Sequence, residues 1–530
     1  MKYWIRRGRG KIRMAVVIAA GLLLGACGPG GGYKKNPSHA DIPDVQIARG
    51  DSLAKKYCGS CHQLPKPDLL DAGSWEKGVL PQMGPRLGIF QYMNQRYPNN
   101  IGDPNVGRAY YPSGALMSEG DWKAIIDYYT ALAPESLPAQ QRVRPLLPDT
   151  TLFRIAPAAR VSPAPAATCF IRYEPHLRQV LTSDIISHTL NVWDKDLQPA
   201  GSFLVGGSIV DLASGDSAGG YFACNMGPFG PNNAPAGHID HLPVPPRVLA
   251  AGRPLAVMAD SLLRPVNIAA ADLNGDGRED LVVCEFGYIR GELAWLENKG
   301  GGRYQKHVLR SVPGAIRVVV QDYNHDGLPD LWVLFAQGDE GIFLYTNQGH
   351  GQFAEQPVLR FPPSYGSTYF ELDDFDKDGN MDILYTCGDN GDFSTVLKPY
   401  HGVYIFLNDG RNHFKQQYFF PINGCYKAMA RDFDGDGDLD IASIAFFADY
   451  VHQPEEGFVY LENIGNGQFS PYSVPGTECG RWITMDIADA DGDGKPDILL
   501  ANCSVGPAFL SSVTDWKKGP PFIILTNRTR

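Results

Sequence analysis

The sequence predicts a multidomain chain, a small all-α domain followed by an all-β propeller of seven blades. Three observations predict it. A nine-residue acidic loop recurs five times at a period near 50 residues. Apolar runs of strand length follow the loops. Upstream of a Pro-rich stretch, the apolar residues take helical spacing instead. The expected division is a leader over 1–26, a tether over 27–41, a helical domain over 42–136, a linker over 137–150 and the propeller over 151–530.

The leader opens with Lys2, Arg6, Arg7, Arg9, Lys11 and Arg13, then runs apolar from Met14 to Leu24. That run is short for a bilayer span and reads as a signal peptide. Leu24-Gly25-Ala26-Cys27 resembles the bacterial lipobox, which implies cleavage before Cys27 and a lipid on its sulfur. The expected place is therefore outside the cytoplasm, anchored to a bacterial membrane and facing the periplasm or cell surface. Plain secretion with an unmodified Cys27 is the alternative. Without the six leader bases the formal charge of −11 becomes −17, and no basic stripe remains, so nucleic acid is excluded as a partner.

The helical domain carries Cys58-Gly59-Ser60-Cys61-His62. C-x-x-C-H in an exported chain reads as covalent attachment of haem c, with thioethers from Cys58 and Cys61 and His62 as proximal iron ligand. A thioredoxin-like redox pair would need a βαβ setting, but Ile47 to Tyr57 is helical in pattern. Ala48-x-Gly50-x-x-Leu53-x-x-x-Tyr57-Cys58 resembles the first helix of class I cytochromes c. Ser118 caps a closing helix with Asp121 as its box partner, and Trp122, Ile125, Ile126, Tyr129 and Leu132 form one stripe. The resemblance implies that this helix packs on the first. No second His lies in the domain, so a methionine is the expected sixth ligand. Met83, Met93 and Met117 are the candidates. Met83 is chosen because Trp75-x-x-x-Val79-Leu80-Pro81-x-Met83 is similar to the methionine segment of some short bacterial cytochromes.

Each acidic loop reads D-x-[DN]-x-D-G-x-x-D. The oxygen donors are Asp272, Asn274, Asp276 and Asp280; Asp322, Asn324, Asp326 and Asp330; Asp374, Asp376, Asp378 and Asp382; Asp432, Asp434, Asp436 and Asp440; and Asp489, Asp491, Asp493 and Asp497. The backbone carbonyls at position 7 belong to Arg278, Leu328, Asn380, Asp438 and Lys495. Hard oxygens in such a ring suit Ca²⁺, so up to five ions are expected. EF-hands need a Glu at position 12, and here that place holds Val283, Val333, Tyr385, Ser443 and Leu500.

Every unit runs strand, loop, strand, third strand, then Asn-x-Gly and an aromatic: Tyr304, Phe353, Phe414 or Phe469. Asn-x-Gly is hairpin chemistry. The pattern resembles the FG-GAP/VCBS repeats, which implies a propeller of the integrin α-subunit type with Ca²⁺ between first and second strands. Two degenerate units upstream, one from Cys169 and one from Ser208 with an insertion over 227–246, bring the total to seven, six and eight being alternatives. The last unit ends at its third strand, Phe522 to Asn527. An unpaired edge there is unfavourable. The expected fourth strand is Thr151-Leu152-Phe153-Arg154-Ile155, antiparallel to it and drawn from before the first blade.

Cys224, Cys284, Cys387 and Cys503 recur after second strands and read as small buried residues, and His238, His241, His401 and His452 read as loop histidines. Arg264, Arg317, Lys427 and Arg481 precede the loops, as a solvated rim or as an anion site. No nucleophile or acid–base pair stands out. The functional expectation is a membrane-anchored monohaem cytochrome in electron transfer, with the propeller as docking or ligand scaffold. Its partner would be a redox protein or a small-molecule donor. The alternatives are an oxidoreductase whose propeller binds a sugar or other substrate, and an adhesion protein.

Overall fold

The structure is a computed structural model describing residues 32–107, 109–159, 164–215, 220–244, 255–391, 393–506 and 514–529. The leader and Cys27 lie outside these residues. Among the described residues no helix is long and apolar enough to cross a membrane. The chain divides into Met1–Lys34, of which the three described residues have no regular structure, and one compact unit, Lys35–Arg530. The helical segment is therefore not a separate body but part of the same unit as the propeller.

Two long helices frame that segment, Asp44–Tyr57 and Glu119–Leu132. Ser118 Oγ accepts from the Asp121 N–H at 3.1 Å and donates to its carboxylate at 2.8 Å. The helices cross at Gly50, where a Cβ would lie 2.0 Å from the Ala124 carbonyl oxygen, so only glycine permits the approach. Between them, 72–87 is helical throughout, with one π turn at Trp75–Val79. Ile47, Trp75, Trp122, Ile125 and Tyr129 fill the core of the segment.

The remainder is seven four-stranded antiparallel blades. Strands Thr168–Glu174, Ile209–Ser214, Pro265–Ala271, Ala315–Gln321, Ser367–Asp373, Cys425–Arg431 and Trp482–Ala488 are innermost, and each packs beside the next until the seventh meets the first. One apolar cluster fills each of the seven gaps between blades. Fourth strands start at the expected aromatics Tyr304, Phe353, Phe414 and Phe469. In blade 2 the stretch expected as an insertion contains the third strand, Gly237–Pro243. Its flanking Pro and Gly residues mask the alternation of buried Ile239 and Leu242 with more exposed His238 and His241.

The closing strand forms at Phe153–Pro157 and pairs antiparallel with Phe522–Asn527, Phe153 opposite Asn527. The partner and direction are those expected, and the strand starts two residues later. Asp149 accepts from the N–H groups of Thr151 and Leu152, and that turn places both residues ahead of the sheet.

The linker expected as a spacer is bound to the propeller instead. Gln140 donates to the carbonyls of Lys398 and His401, Arg142 pairs with fully buried Glu456, and Leu147–Pro148 adds a parallel fifth strand to blade 6. Polar side chains at 140 and 142 and the free edge of blade 6 hold what composition alone marks as a tether.

First strands have an unpaired edge toward the channel, and their backbone groups need partners. Each blade supplies one to its neighbour. Arg172 donates to the Leu212 carbonyl, Asp211 accepts from Ile268 N–H, and Asn267 accepts from Val318 N–H. Arg317 donates to the Phe370 carbonyl, Glu371 accepts from Ala430 N–H, Lys427 donates to the Met485 carbonyl, and Asp486 accepts from Tyr173 N–H. The seven bonds span 2.7–3.1 Å and run unbroken round the channel. Arg317 and Lys427 thus belong to this ring, not to a solvated rim. Lys427 also faces Tyr369, and burial with the nearby Arg317 lowers its ammonium pKa to about 8.

Candidate functional site

Antiparallel order puts all loops between first and second strands at one end of the propeller. The five acidic loops lie there, and their geometry repeats. Position 6 is a glycine at φ 80, 87, 90, 91 and 88° in turn, and position 4 is left-handed too, even where it is His325 or Lys377. The position-6 N–H donates to the first aspartate in every copy, at 2.8–3.0 Å. Position 5 N–H donates to the position-3 side chain, and position 7 N–H to the position-5 side chain.

The ninth residue is fully buried in all five loops. One of its oxygens accepts from the position-2 N–H, the other from the N–H of an asparagine ending the third strand: Asn298, Asn347, Asn408, Asn463 or Asn527. That asparagine also donates its amide to the position-8 carbonyl. Sequence reasoning took these asparagines for hairpin residues alone. Their recurrence at the end of every third strand that follows an acidic loop was the signal that they clamp it.

In three loops the carboxylates converge, with ligand atoms of Asp374, Asp376 and Asp382, of Asp432, Asp434 and Asp440, and of Asp489, Asp491 and Asp493 within 4.8 Å of one another. Burial first, and the neighbouring carboxylates after it, hold Asp382, Asp440 and Asp497 up at about 6, 7 and 6. Such crowded acids are what a divalent cation relieves, and the all-oxygen set fits Ca²⁺. The first two loops substitute Asn274 and Asn324, and Arg278 lies on the Asp276 carboxylate.

The C-x-x-C-H motif sits at the end of the first helix, where Cys58 and Gly59 N–H groups still bond to the Ala54 carbonyl. Cys58 is half-buried against the same apolar cluster as Met83, and Cys61 is exposed. Burial, then the nearby Cys61, raises the Cys58 thiol to about 11. His62 Nδ1 bonds the Gln63 carbonyl at 2.9 Å, which leaves Nε2 to meet a metal, the usual orientation of a ligating imidazole. Burial keeps that ring neutral, with Arg86 and Arg360 acting in the same direction. Tyr129 and Trp75 fix the chain beyond it through the carbonyls of Pro65 and Pro67. Met117 is 8% exposed within the core and Met93 is 70% exposed, whereas Met83 is half-buried at the edge of the cluster. These residues fit a haem of the expected kind.

The helical segment rests on the end of the propeller opposite the acidic loops. Asp103 accepts from Asn233 of blade 2 at 2.8 Å and the Asn105 carbonyl from Arg290 of blade 3 at 2.9 Å. The longest hold is the loop 388–401 of blade 5. Its Phe393 carbonyl abuts Gly78, Ser394 bonds Ser74, Val396 packs into the helical core, and Tyr400 donates to the Leu69 carbonyl. A closing strand on the last blade would by itself set the helical segment beside that blade, but its hydrogen bonds go to blades 2, 3 and 5.

Of the four histidines read as loop residues, His238 and His241 lie on a strand, His401 is fully buried and kept neutral by that burial, and His452 is exposed. Arg481 is 2% exposed and stacks 3.6 Å over Phe446, so it is no solvated rim either. A cleft of about 670 Å³ opens between the outer strands of blades 3 and 4, lined by Trp295, His307, Tyr345 and Glu297, at the acidic-loop end.

Comparison with known proteins bears on the propeller. The family described as FG-GAP-like repeat matches residues 272–333 and 322–385. Integrin alpha-4 of Xenopus laevis is 30% identical over 181 residues, 31% of this chain and 17% of that protein. The T-cell immunomodulatory protein homolog of Plasmodium falciparum is 24% identical over 241 residues, 38% of this chain and 32% of that one. The chain thus spans a third or less of the length of these relatives. Among solved structures, BBS1N in complex with ARL6DN aligns at TM-score 0.42 and 11% identity, covering 72% of this chain and 98% of that one. The periplasmic gluconolactonase PpgL of Pseudomonas aeruginosa aligns at 0.40 and 12%, covering 60% and 87%. The chain carries FG-GAP-like repeats built into a seven-bladed β-propeller.

Proposed function

We propose that this protein is an exported electron carrier, a monohaem c-type cytochrome anchored to a bacterial membrane through Cys27. Cys58 and Cys61 would hold the haem covalently, with His62 and Met83 as axial ligands. Haem c supplies a one-electron centre when bound. The observation that carries the reading is the C-x-x-C-H turn at the helix end with His62 Nδ1 committed to the Gln63 carbonyl. The propeller is then a Ca²⁺-stabilised scaffold. It holds the helical segment against one end and offers its remaining surface to a redox partner protein.

The oxidoreductase reading requires a substrate near the haem. The cleft between blades 3 and 4 lies at the end of the propeller away from the helical segment. Adhesion remains the reading for the propeller alone, by likeness to the integrin chains.

The test is a pyridine haemochrome spectrum of the purified chain, followed by addition of candidate donors. One covalent haem per chain, lost in Cys61→Ala, is expected. Reduction by a small sugar alone would favour the oxidoreductase, and a chain without haem would sink the proposal. In Met83→Ala the far-red methionine–iron band should vanish, and its persistence would move the sixth ligand to another methionine.

A further inference from the structure

Of the four bases that precede acidic loops, Arg317 and Lys427 are committed to the channel ring. Arg481 is not, and its surroundings are unlike theirs. It stands just before the first strand of blade 7. Its backbone is fixed on both sides, the N–H by the Asn502 side chain at 3.0 Å and the carbonyl by the Cys503 N–H at 2.9 Å. The guanidinium is buried. Nε donates to the Phe446 carbonyl at 3.0 Å, and Nη1 reaches the Val505 carbonyl only at 3.5 Å. Nη2 has no hydrogen-bond partner among the described residues. Aromatic rings wall the group, Phe446 at 3.6 Å, Phe447 at 5.8 Å and Trp516 at 5.9 Å. No carboxylate pairs with it among the described residues. The stretch that follows, Pro507 to Val513, contains no acid. A buried cation without a counter-charge is costly, and stacking on rings returns only part of that cost. Gly506 supplies room beside it. Its φ is 149°, it is exposed, and a Cβ there would stand 2.8 Å from Nη1 and 3.4 Å from Nη2. The missing side chain leaves a cradle against the two terminal nitrogens, which carry the unused donors.

We propose that Arg481 and Gly506 form a binding site for one small monovalent anion, a halide or a carboxylate, in blade 7. The charge follows from the single guanidinium, since a divalent anion would leave a net negative charge against the aromatic walls. The size follows from the cradle, which replaces one side chain. Two terminal nitrogens side by side suit a carboxylate in a forked pair and a halide between them equally. Phe446 and Phe447 share a cluster with Phe229 of blade 2, and Asn233 of that same loop holds Asp103 of the helical segment. An anion on Arg481 thus tightens the layer of loops on which the helical segment rests. The site is independent of the haem-bearing reading.

The experiment is a melting series on the full purified chain at fixed ionic strength and saturating calcium, with sodium chloride or sodium formate replacing sodium sulfate. Salt effects on the whole surface are shared by wild type and variants, so they cancel in the difference. Arg481→Met keeps the apolar packing but removes the charge, and in sulfate it should melt at or above the wild type. Relative to that variant, the wild-type midpoint should gain about 3 °C when the monovalent anion reaches about 100 times its Kd. Gly506→Ala fills the cradle and leaves the cation, and it should lose the same gain. A gain in chloride alone makes the anion a halide, and a gain in formate alone makes it a carboxylate; either supports the site. Parallel responses in wild type and both variants overturn the inference. If Arg481→Met does not fold, Gly506→Ala decides, and a response equal to the wild type's overturns it.

Discussion

Phe153 is where the two ends of the propeller lock. It is 4% exposed, starts the closing strand, and meets Phe433 and Tyr460 edge-to-face at 5.8 and 5.5 Å. Phe153→Ala removes a core aromatic, which costs about 3–5 kcal/mol. The two ring pairs, each worth about 0.5–1.5 kcal/mol, place it near the upper end. Unfolding entropy is about 2.1 cal/mol/K per residue, so a domain of roughly 375 residues gains about 0.8 kcal/mol per kelvin at its midpoint. A loss near 5 kcal/mol then lowers the melting temperature by about 6 °C. Calorimetry of the Phe153→Ala chain measures this, with amide exchange at Phe522–Asn527 alongside it. It is the outer strand of its blade, and where such a strand opens locally, protection falls at 522–527 before the melt moves. An unchanged melt together with unchanged protection at those amides would refute the claim that this strand closes the ring.

Three further outcomes are expected. Asp486→Ala breaks the seventh bond of the channel ring and strands the Tyr173 N–H, at a cost of about 1–3 kcal/mol by denaturant titration, whereas Asp486→Asn keeps an acceptor and costs less. Chelation should lower the melt of the propeller and spare the haem spectrum, since an ion at about 100 times its Kd adds about 2.7 kcal/mol per site; an identical melt in excess chelator speaks against structural calcium. Glu340 is fully buried against Ser367, and burial raises its carboxyl from 4.5 to about 8. Between those values the unfolded chain has released this proton and the folded one has not, so stability falls as pH rises from about 4.5 to 8 and is level above. Glu340→Gln should flatten that part of the profile, and an unaltered slope would show that Glu340 ionises freely in the fold.

Much of this protein is written in local pattern. The acidic loops, their spacing and the aromatics opening each fourth strand announce the propeller, because a turn that needs glycine at positive φ and oxygens at fixed offsets constrains consecutive residues. The C-x-x-C-H motif and the capped helix at Ser118 are legible for the same reason. The last unit also showed that it lacked a strand, and an unpaired edge asks for one wherever it comes from. What tertiary structure alone decided are the relations between residues far apart in the chain. Asn298 and its four counterparts clamp loops about twenty to thirty residues behind them. Arg317 and Lys427 look like surface bases in sequence yet bond the backbone of the next blade, since only the closed ring brings that unpaired edge to them. The Pro-rich stretch gave no sign of its anchors, because the strength of Arg142 lies in the buried Glu456 more than 300 residues away. Likewise His62 is a complete motif on its own, but the loop that clamps its segment, through Tyr400 donating to the Leu69 carbonyl, comes from the fifth blade. Local rules fix what each short segment forms, while partners across hundreds of residues are chosen by which buried charges and open edges the closed ring leaves to be satisfied.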